Sequence, residues 1–179
     1  MIYSKLFDWQ KQIIDDFEDR KTFAIYLDMG LGKTPISLAF AEAHKSDKVL
    51  IISINKKALE DETIENSFLW WANQMEIKYN LYTKKYNFRN EGAKKWRREL
   101  STNTKDVLLV NYEGTYKPGQ SEIIHGRKHK RCVLSDIIVD FIESCKNQTV
   151  TIIVDESHKV KELDSLQTLA LKKIQKELE

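Results

Sequence analysis

Short apolar runs alternate along this chain with segments whose apolar residues recur at helical spacing. The runs lie at 23–27, 48–53, 107–110 and 150–154. Each has the length of a buried strand and is too short for a typical helix. Strands that are apolar at consecutive positions, rather than at alternate ones, are typical of parallel sheets with helices on both faces. The pattern therefore predicts an α/β fold with a mostly parallel sheet.

The helical segments are predicted from apolar residues three and four positions apart. They lie at 6–17, after Thr34, around Trp70 and Trp71, at 133–144, and from Leu163 onward. Pro35 falls in the first turn of the second segment, where a proline is accepted because its missing N–H has no helical partner there. Residues 114–131 contain Pro118, three glycines and many charges, which predicts an exposed loop.

Composition narrows the class of protein. The chain has 179 residues, 41% of them hydrophobic, which fits one domain with a sizeable core. With 29 Lys and Arg against 27 Asp and Glu, the net charge is +2, which argues against a histone-like protein. Apolar runs far shorter than the roughly 18 residues of a membrane span, and a start without an apolar signal core, predict a cytoplasmic protein. Cys132 and Cys145 are expected to be reduced thiols.

The most specific motif lies between the first predicted strand and the helix that follows it. It reads Asp28-Met29-Gly30-Leu31-Gly32-Lys33-Thr34. Glycines accept positive φ and let backbone N–H groups approach a phosphate, and a helix N-terminus adds partial positive charge. Lys33 is expected to neutralise the β- and γ-phosphates of a nucleotide, and the Thr34 hydroxyl to bind Mg²⁺. The strict phosphate-loop pattern has a further glycine where Leu27 stands, and the alternative is a tight turn with an ordinary surface lysine.

A second polar motif, residues 155–158, follows the last predicted strand. Because the carboxyl ends of parallel strands meet at one edge of a sheet, it is expected beside the phosphate loop. There Asp155 would hold Mg²⁺, Glu156 would polarise the attacking water, and His158 would sense the γ-phosphate. Taken alone, an Asp-Glu pair after a strand is commonly a solvated turn, and a lone histidine commonly packs or faces solvent.

With both motifs in place, the chain resembles the first RecA-like domain of superfamily 2 helicases and translocases. Within them it is most similar to the Swi/Snf-like group, including its phage and bacterial members. Residues 28–34 resemble motif I of that group, which does not require the first glycine, and residues 155–158 resemble its Asp-Glu-x-His motif II. Residues 6–10 resemble a Leu-x-x-Tyr/Trp-Gln element in which the glutamine reads adenine, so the resemblance implies that Gln10 contacts the base. The alternative for Gln10 is a polar residue on a helix surface.

Further elements carry the same resemblance. Residues 49–59 are similar to motif Ia, without its usual proline around Ile54 and Asn55. Residues 107–113 resemble a strand followed by Ser-Tyr-Glu, with Asn111 in place of the serine. Lys161 and Ser165 match a Lys-x-x-x-Ser pattern that often follows motif II. The resemblance therefore extends over nearly the whole chain.

The resemblance implies a P-loop NTPase domain of RecA-like fold spanning 1–179, which binds ATP and Mg²⁺. It would be the ATP-binding half of a translocase or remodelling enzyme that acts on double-stranded DNA. The protein would be bacterial, or a phage protein in the cytoplasm of its host. Members of this group need a second RecA-like domain, here expected in cis or in trans, so slow hydrolysis by this domain alone is expected. The implied nucleotide-binding residues are Gln10, Met29, Gly30, Leu31, Gly32, Lys33 and Thr34. The implied catalytic residues are Lys33, Glu156 and His158, and the implied metal ligands are Thr34 and Asp155.

Basic runs at 94–98 and 127–131 leave a choice between nucleic-acid contact and a solvated surface. In the first run, Trp96 among the cations adds a ring that a base could stack on. Two other functions also remain open at this point. One is a self-sufficient small P-loop phosphotransferase such as a kinase, and the other is a nucleotide-gated binding module without turnover.

Overall fold

A computed structural model of the chain describes residues 2–53, 67–68, 70–71, 79–82, 106–124, 127–160, 162 and 165–179. Four helices have both ends in these ranges: α1 (Asp8–Phe17), α2 (Lys33–Ala43), α3 (Asp136–Ser144) and α4 (Leu166–Leu178). Phe68, Trp70 and Trp71 are also helical, as predicted. The strands are β1 (Lys48–Ser53), β2 (Tyr79–Tyr82), β3 (Asp106–Asn111), β4 (Tyr116–Ile124), β5 (Arg127–Leu134) and β6 (Val150–Val154). Short 3₁₀ turns lie at Tyr3–Lys5, Tyr112–Gly114 and Ser157–Lys159.

The main sheet has the strand order β2-β3-β1-β6, and every neighbouring pair in it is parallel. Its register aligns the strand ends, since Ser53 pairs with Asn111 and Ile52 pairs with Val154. The carboxyl ends of β1, β3 and β6 therefore lie at one edge, as expected for parallel strands. This edge, called the carboxyl edge below, holds motif II.

The core lies on both faces of this sheet. Val49 and Ile51 of β1 belong to a cluster with residues of α1 and α2, while Leu50 and Ile52 belong to a second cluster with residues of α3 and α4. All of them are at most 8% exposed. Burial on both faces explains why β1 is apolar at consecutive positions. The predicted α/β fold, with a parallel sheet between two layers of helices, is confirmed.

The prediction of a strand at 23–27 was wrong. These residues form no regular secondary structure, although Phe23, Ile25 and Leu27 pack against the α1/α2 cluster and Tyr26 is 92% exposed. Apolar residues decide which side chains are buried, but a strand also needs a neighbouring strand as hydrogen-bond partner. None of the strands that the structure describes pairs with this segment.

The prediction of a loop at 114–131 was also wrong. Most of it forms an antiparallel hairpin, in which Tyr116 pairs with Leu134 and the register is irregular between Pro118 and Ser121. The helix expected at 133–144 begins later, at Asp136, because β5 extends to Leu134. The charged and turn-forming residues of this segment favoured the prediction of a loop, although β4 and β5 are stabilised by pairing with each other.

Other expectations have mixed outcomes. Trp71, in the helical segment predicted around Trp70 and Trp71, is only partly buried and packs against the α1/α2 cluster. The part of motif Ia that follows Ser53 lies outside the described residues. Both cysteines are free thiols, as expected. Among the helices that the structure describes, none combines the length and apolarity that crossing a membrane requires.

Candidate functional site

The phosphate-loop segment leads directly into α2. Gly30 and Gly32 have φ of 83° and 77°, values that other residues rarely adopt, and Gly32 is the residue that precedes α2. A Cβ on Gly30 would meet no atom within 4 Å, so this glycine is needed for its conformation alone. The helix begins at Lys33, so Lys33 and Thr34 occupy an N-terminus whose free N–H groups favour an anion.

The ammonium group of Lys33 lies across the loop. It donates to the backbone oxygens of Leu27, at 2.8 Å, and Asp28, at 3.1 Å. A phosphate would offer the same group a charged acceptor, which makes the stronger hydrogen bond. Met29 and Leu31 are 91% and 42% exposed, so their side chains line the outside of the loop. Thr34 is partly buried in the first turn of α2.

Asp155 is the first residue after β6 and is held by contacts from two neighbouring strands. Its backbone N–H donates to the oxygen of Ile52 at 2.9 Å, which extends the pairing with β1. Ser53 Oγ donates to Asp155 Oδ2 at 2.8 Å, and the Tyr112 hydroxyl, from the turn after β3, donates to the backbone oxygen of Asp155 at 2.8 Å. These bonds fix the carboxylate at the carboxyl edge.

Opposing electrostatic effects act on Asp155. Burial raises the pKa of its carboxyl group above the usual range, and the charge of Glu156 acts in the same direction. The hydrogen bond from Ser53 and the positive charge of Lys33 lower this pKa without cancelling the effect of burial. Of these effects, the charge of Lys33 is the smallest.

Glu156 and His158 contact each other. His158 Nδ1 lies 3.1 Å from Glu156 Oε2, and their side chains are 55% and 40% exposed. Glu156 has φ of 53°, in the left-handed region that residues other than glycine seldom adopt. Such strained residues concentrate at functional sites, where the surrounding structure enforces them.

Gln10 lies behind the phosphate loop and is 5% exposed. Its Nε2 donates to the backbone oxygen of Leu31 at 3.1 Å, and its Oε1 accepts a hydrogen bond from the N–H of Phe7 at 3.0 Å. Both polar groups of the side chain expected to read adenine are therefore bonded within the chain.

Ser53 and Tyr112 were included in sequence motifs without a role. A hydroxyl residue at the end of a buried apolar strand was the available signal for Ser53. The basic run 94–98 lies outside the described residues. The run 127–131 forms the first part of β5 and is distant in sequence from the phosphate loop.

Replacing Tyr112 with phenylalanine tests the support beneath Asp155. Burial raises the pKa of the Tyr112 hydroxyl well above its usual value, and the charges of Asp155 and Glu156 add to this, so it stays protonated and can donate. Tyr112→Phe is expected to lower the free energy of unfolding by about 1–2 kcal/mol, since a partly buried oxygen loses its donor. Urea unfolding measures this, with Tyr26→Phe on a 92% exposed tyrosine as the control. Equal midpoints for both variants would contradict it.

Replacing Asp155 with asparagine is expected to stabilise the ligand-free protein near neutral pH, by about 0.5–2 kcal/mol. A raised carboxyl pKa means that the folded state binds the proton more tightly than the unfolded state. Stability therefore falls as pH rises from the unfolded pKa to the folded one, and this penalty persists above it. The advantage of Asp155→Asn should vanish when the pH drops below the unfolded carboxyl pKa. Thermal unfolding across this range measures it, and an advantage that grows toward acid pH would contradict the burial argument.

A model of the family described as "Type III restriction enzyme, res subunit" matches residues 3–178, nearly the whole chain. No curated protein matches the chain, and no solved structure does.

Proposed function

Because the chain belongs to the type III restriction enzyme res subunit family, and so is a superfamily 2 helicase-like ATP-binding domain of RecA-like fold, we propose that residues 28–34 and 155–158 form its ATP-hydrolysing site. One observation carries this proposal. Gly30 and Gly32, both at positive φ, lead into the N-terminus of α2 at Lys33, and hydrogen bonds hold the acidic Asp155 at the carboxyl edge of the sheet. A phosphate-binding ammonium and a metal-binding carboxylate at one edge are the pair that phosphoryl transfer needs.

The triphosphate of ATP would bind at the N-terminus of α2. Gly30 and Gly32 give the loop the positive φ values that turn its backbone N–H groups toward one point. Met29 and Leu31 would contribute their backbone N–H groups to phosphate binding, while their side chains stay exposed. Lys33 would exchange its two backbone oxygen partners for phosphate oxygens.

Thr34 and Asp155 are the proposed ligands of Mg²⁺. Both offer oxygen atoms, which this hard cation prefers, and Asp155 is already held in place by Ser53. When bound with the nucleotide, Mg²⁺ supplies positive charge against the charge that develops on the transferring phosphoryl group. Glu156 orients and polarises the attacking water, and His158 responds to the γ-phosphate through its contact with Glu156.

At a finer level, we assign the domain to translocases of the Swi/Snf-like type that act on double-stranded DNA. The amino-acid sequences of residues 28–34 and 155–158, which resemble motifs I and II of that group, support this assignment. The basic run 127–131 offers cations for contacts with DNA phosphates. Within that run, the side chain of Arg131 on β5 is exposed to solvent. A second RecA-like domain, in cis or in trans, would complete the site with residues that stabilise the transferring group.

Phosphate release from ATP and Mg²⁺, measured with duplex DNA, single-stranded DNA or RNA added, tests the function. We expect slow release without nucleic acid and the strongest stimulation by duplex DNA. Stimulation by RNA alone would overturn the assignment to DNA. Transfer of phosphate to an acceptor other than water would favour a phosphotransferase, and tight ATP binding without turnover under any condition would favour a nucleotide-gated module.

A further inference from the structure

We propose that Gln10 is a positioning residue that holds the phosphate loop in its binding shape, so that it supports binding of a triphosphate whatever base the nucleotide carries. This proposal rests on the ATP site proposed above, and it gives Gln10 a role other than the reading of adenine. The observations that carry it are the hydrogen bonds, the burial and the packing of one side chain.

The hydrogen bonds of Gln10 connect the start of α1 to the phosphate loop. Nε2 donates to the backbone oxygen of Leu31 at 3.1 Å, and Oε1 accepts from the backbone N–H of Phe7 at 3.0 Å. The N–H of Phe7 precedes α1 and has no partner within that helix. If Gln10 turned toward a base, this N–H and the Leu31 oxygen would lose their partner, at a cost that the base contact must exceed. With 5% of its surface exposed, Gln10 also offers little area to a ligand.

The packing of Gln10 explains why Gly32 is glycine on grounds of space as well as conformation. A Cβ built on Gly32 would lie 2.5 Å from Gln10 Nε2 and 3.4 Å from Pro35. The amide therefore fills the volume that any other residue at 32 would need. Because Gly32 precedes α2, the amide lies directly beneath the turn that presents Lys33 and Thr34.

The tip of the loop depends on this support. The turn hydrogen bond within the loop, from the N–H of Leu31 to the oxygen of Asp28, is 3.4 Å long, whereas the bond from Gln10 to Leu31 is 3.1 Å. Met29, at the tip, is 91% exposed, and the space around Gly30 is open. Loss of the Gln10 bond should therefore let the segment 29–32 move away from the conformation that converges on phosphate.

The variant Gln10→Glu separates the two roles. It keeps the side-chain length and the acceptor for Phe7, but its carboxylate has no hydrogen to donate to the Leu31 oxygen. In Gln10→Glu and in the uncharged Gln10→Met alike, affinities for ATP, GTP and inorganic tripolyphosphate, each with Mg²⁺, should all become about threefold to tenfold weaker, by the same factor, because the lost bond is to the loop and not to the base. Gln12→Glu makes the same change of charge at an exposed position on α1 and should leave all three affinities unchanged.

Hydrogen exchange in the ligand-free protein gives a second readout. Amides of residues 29–33 should exchange faster in Gln10→Glu than in the parent or in Gln12→Glu, and Gln10→Met should give the same result without adding charge. A loss confined to ATP would make Gln10 a base reader and overturn the proposal, as would unchanged affinities for all three probes. A parent protein that binds none of them would instead overturn the ATP site itself, and the role of Gln10 with it.

Discussion

Glu156→Gln is expected to lower the rate of phosphate release by about 10²–10⁴-fold while ATP and Mg²⁺ still bind with nearly the parent affinity. The amide keeps the size of the side chain and suits the left-handed backbone at this position as well as glutamate does. It removes the negative charge that lies 3.1 Å from His158 Nδ1 and that is proposed to polarise the attacking water. Binding therefore survives, and the chemical step does not.

Single-turnover phosphate release, paired with titration of ATP and Mg²⁺, separates these two effects. Glu162→Gln is the matched control, because it makes the same change at an exposed glutamate shortly after the motif. If Glu156→Gln released phosphate as fast as the parent, the role of Glu156 would have to be abandoned. An equal loss in the control would attribute the effect to net charge near the motif.

Removal of the Lys33 ammonium is expected to weaken ATP binding by about 10- to 150-fold, which corresponds to roughly 1.5–3 kcal/mol for a charge-assisted contact. In the ligand-free protein this group bonds to the backbone oxygens of Leu27 and Asp28. Lys33→Ala and Lys33→Met both remove the charge and both of these bonds, but Lys33→Met keeps most of the side chain's bulk. Similar losses in the two variants would attribute the effect to the ammonium group and not to the bulk of the side chain.

Isothermal titration with ATP and AMP measures this effect. AMP should lose less affinity than ATP, because Lys33 is assigned to the β- and γ-phosphates, and Lys172→Ala on the exposed side of α4 should change neither. ATP affinity within about threefold of the parent in both Lys33 variants would show that residues 28–34 do not form a phosphate loop.

Local patterns were sufficient for several elements. The strand at 48–53 and the strand at 150–154 have the predicted bounds, and α1 lies within the predicted segment. The predicted strand at 107–110 extends by one residue at each end. These elements can be predicted from the sequence because the pattern of apolar residues over a short segment indicates which side chains are buried. The two glycines of the loop were also predicted correctly, since both adopt the positive φ that glycine favours.

The failures share a different cause. Residues 23–27 have the composition of a strand and bury alternate side chains, but no described strand pairs with them. Residues 114–131 have a composition that favours a loop, yet most of them form paired strands. In both cases the outcome depends on whether a partner strand is available, which composition does not report.

By itself, the sequence determined the class of fold, the strands at 48–53 and 150–154, the loop at the start of α2, and the edge at which Asp155 and Glu156 emerge, because each follows from spacing, turn chemistry or the rule for parallel strands. Only the tertiary structure decided which groups hold them there. Ser53 bonds to Asp155 across 102 positions, Tyr112 across 43, and Gln10 to Leu31 across 21. A side chain's nearest partner is set by how distant segments pack, and each of these residues alone has many equally good partners in the sequence. The polar residues that tune the site are therefore recognised only once the fold has placed them together.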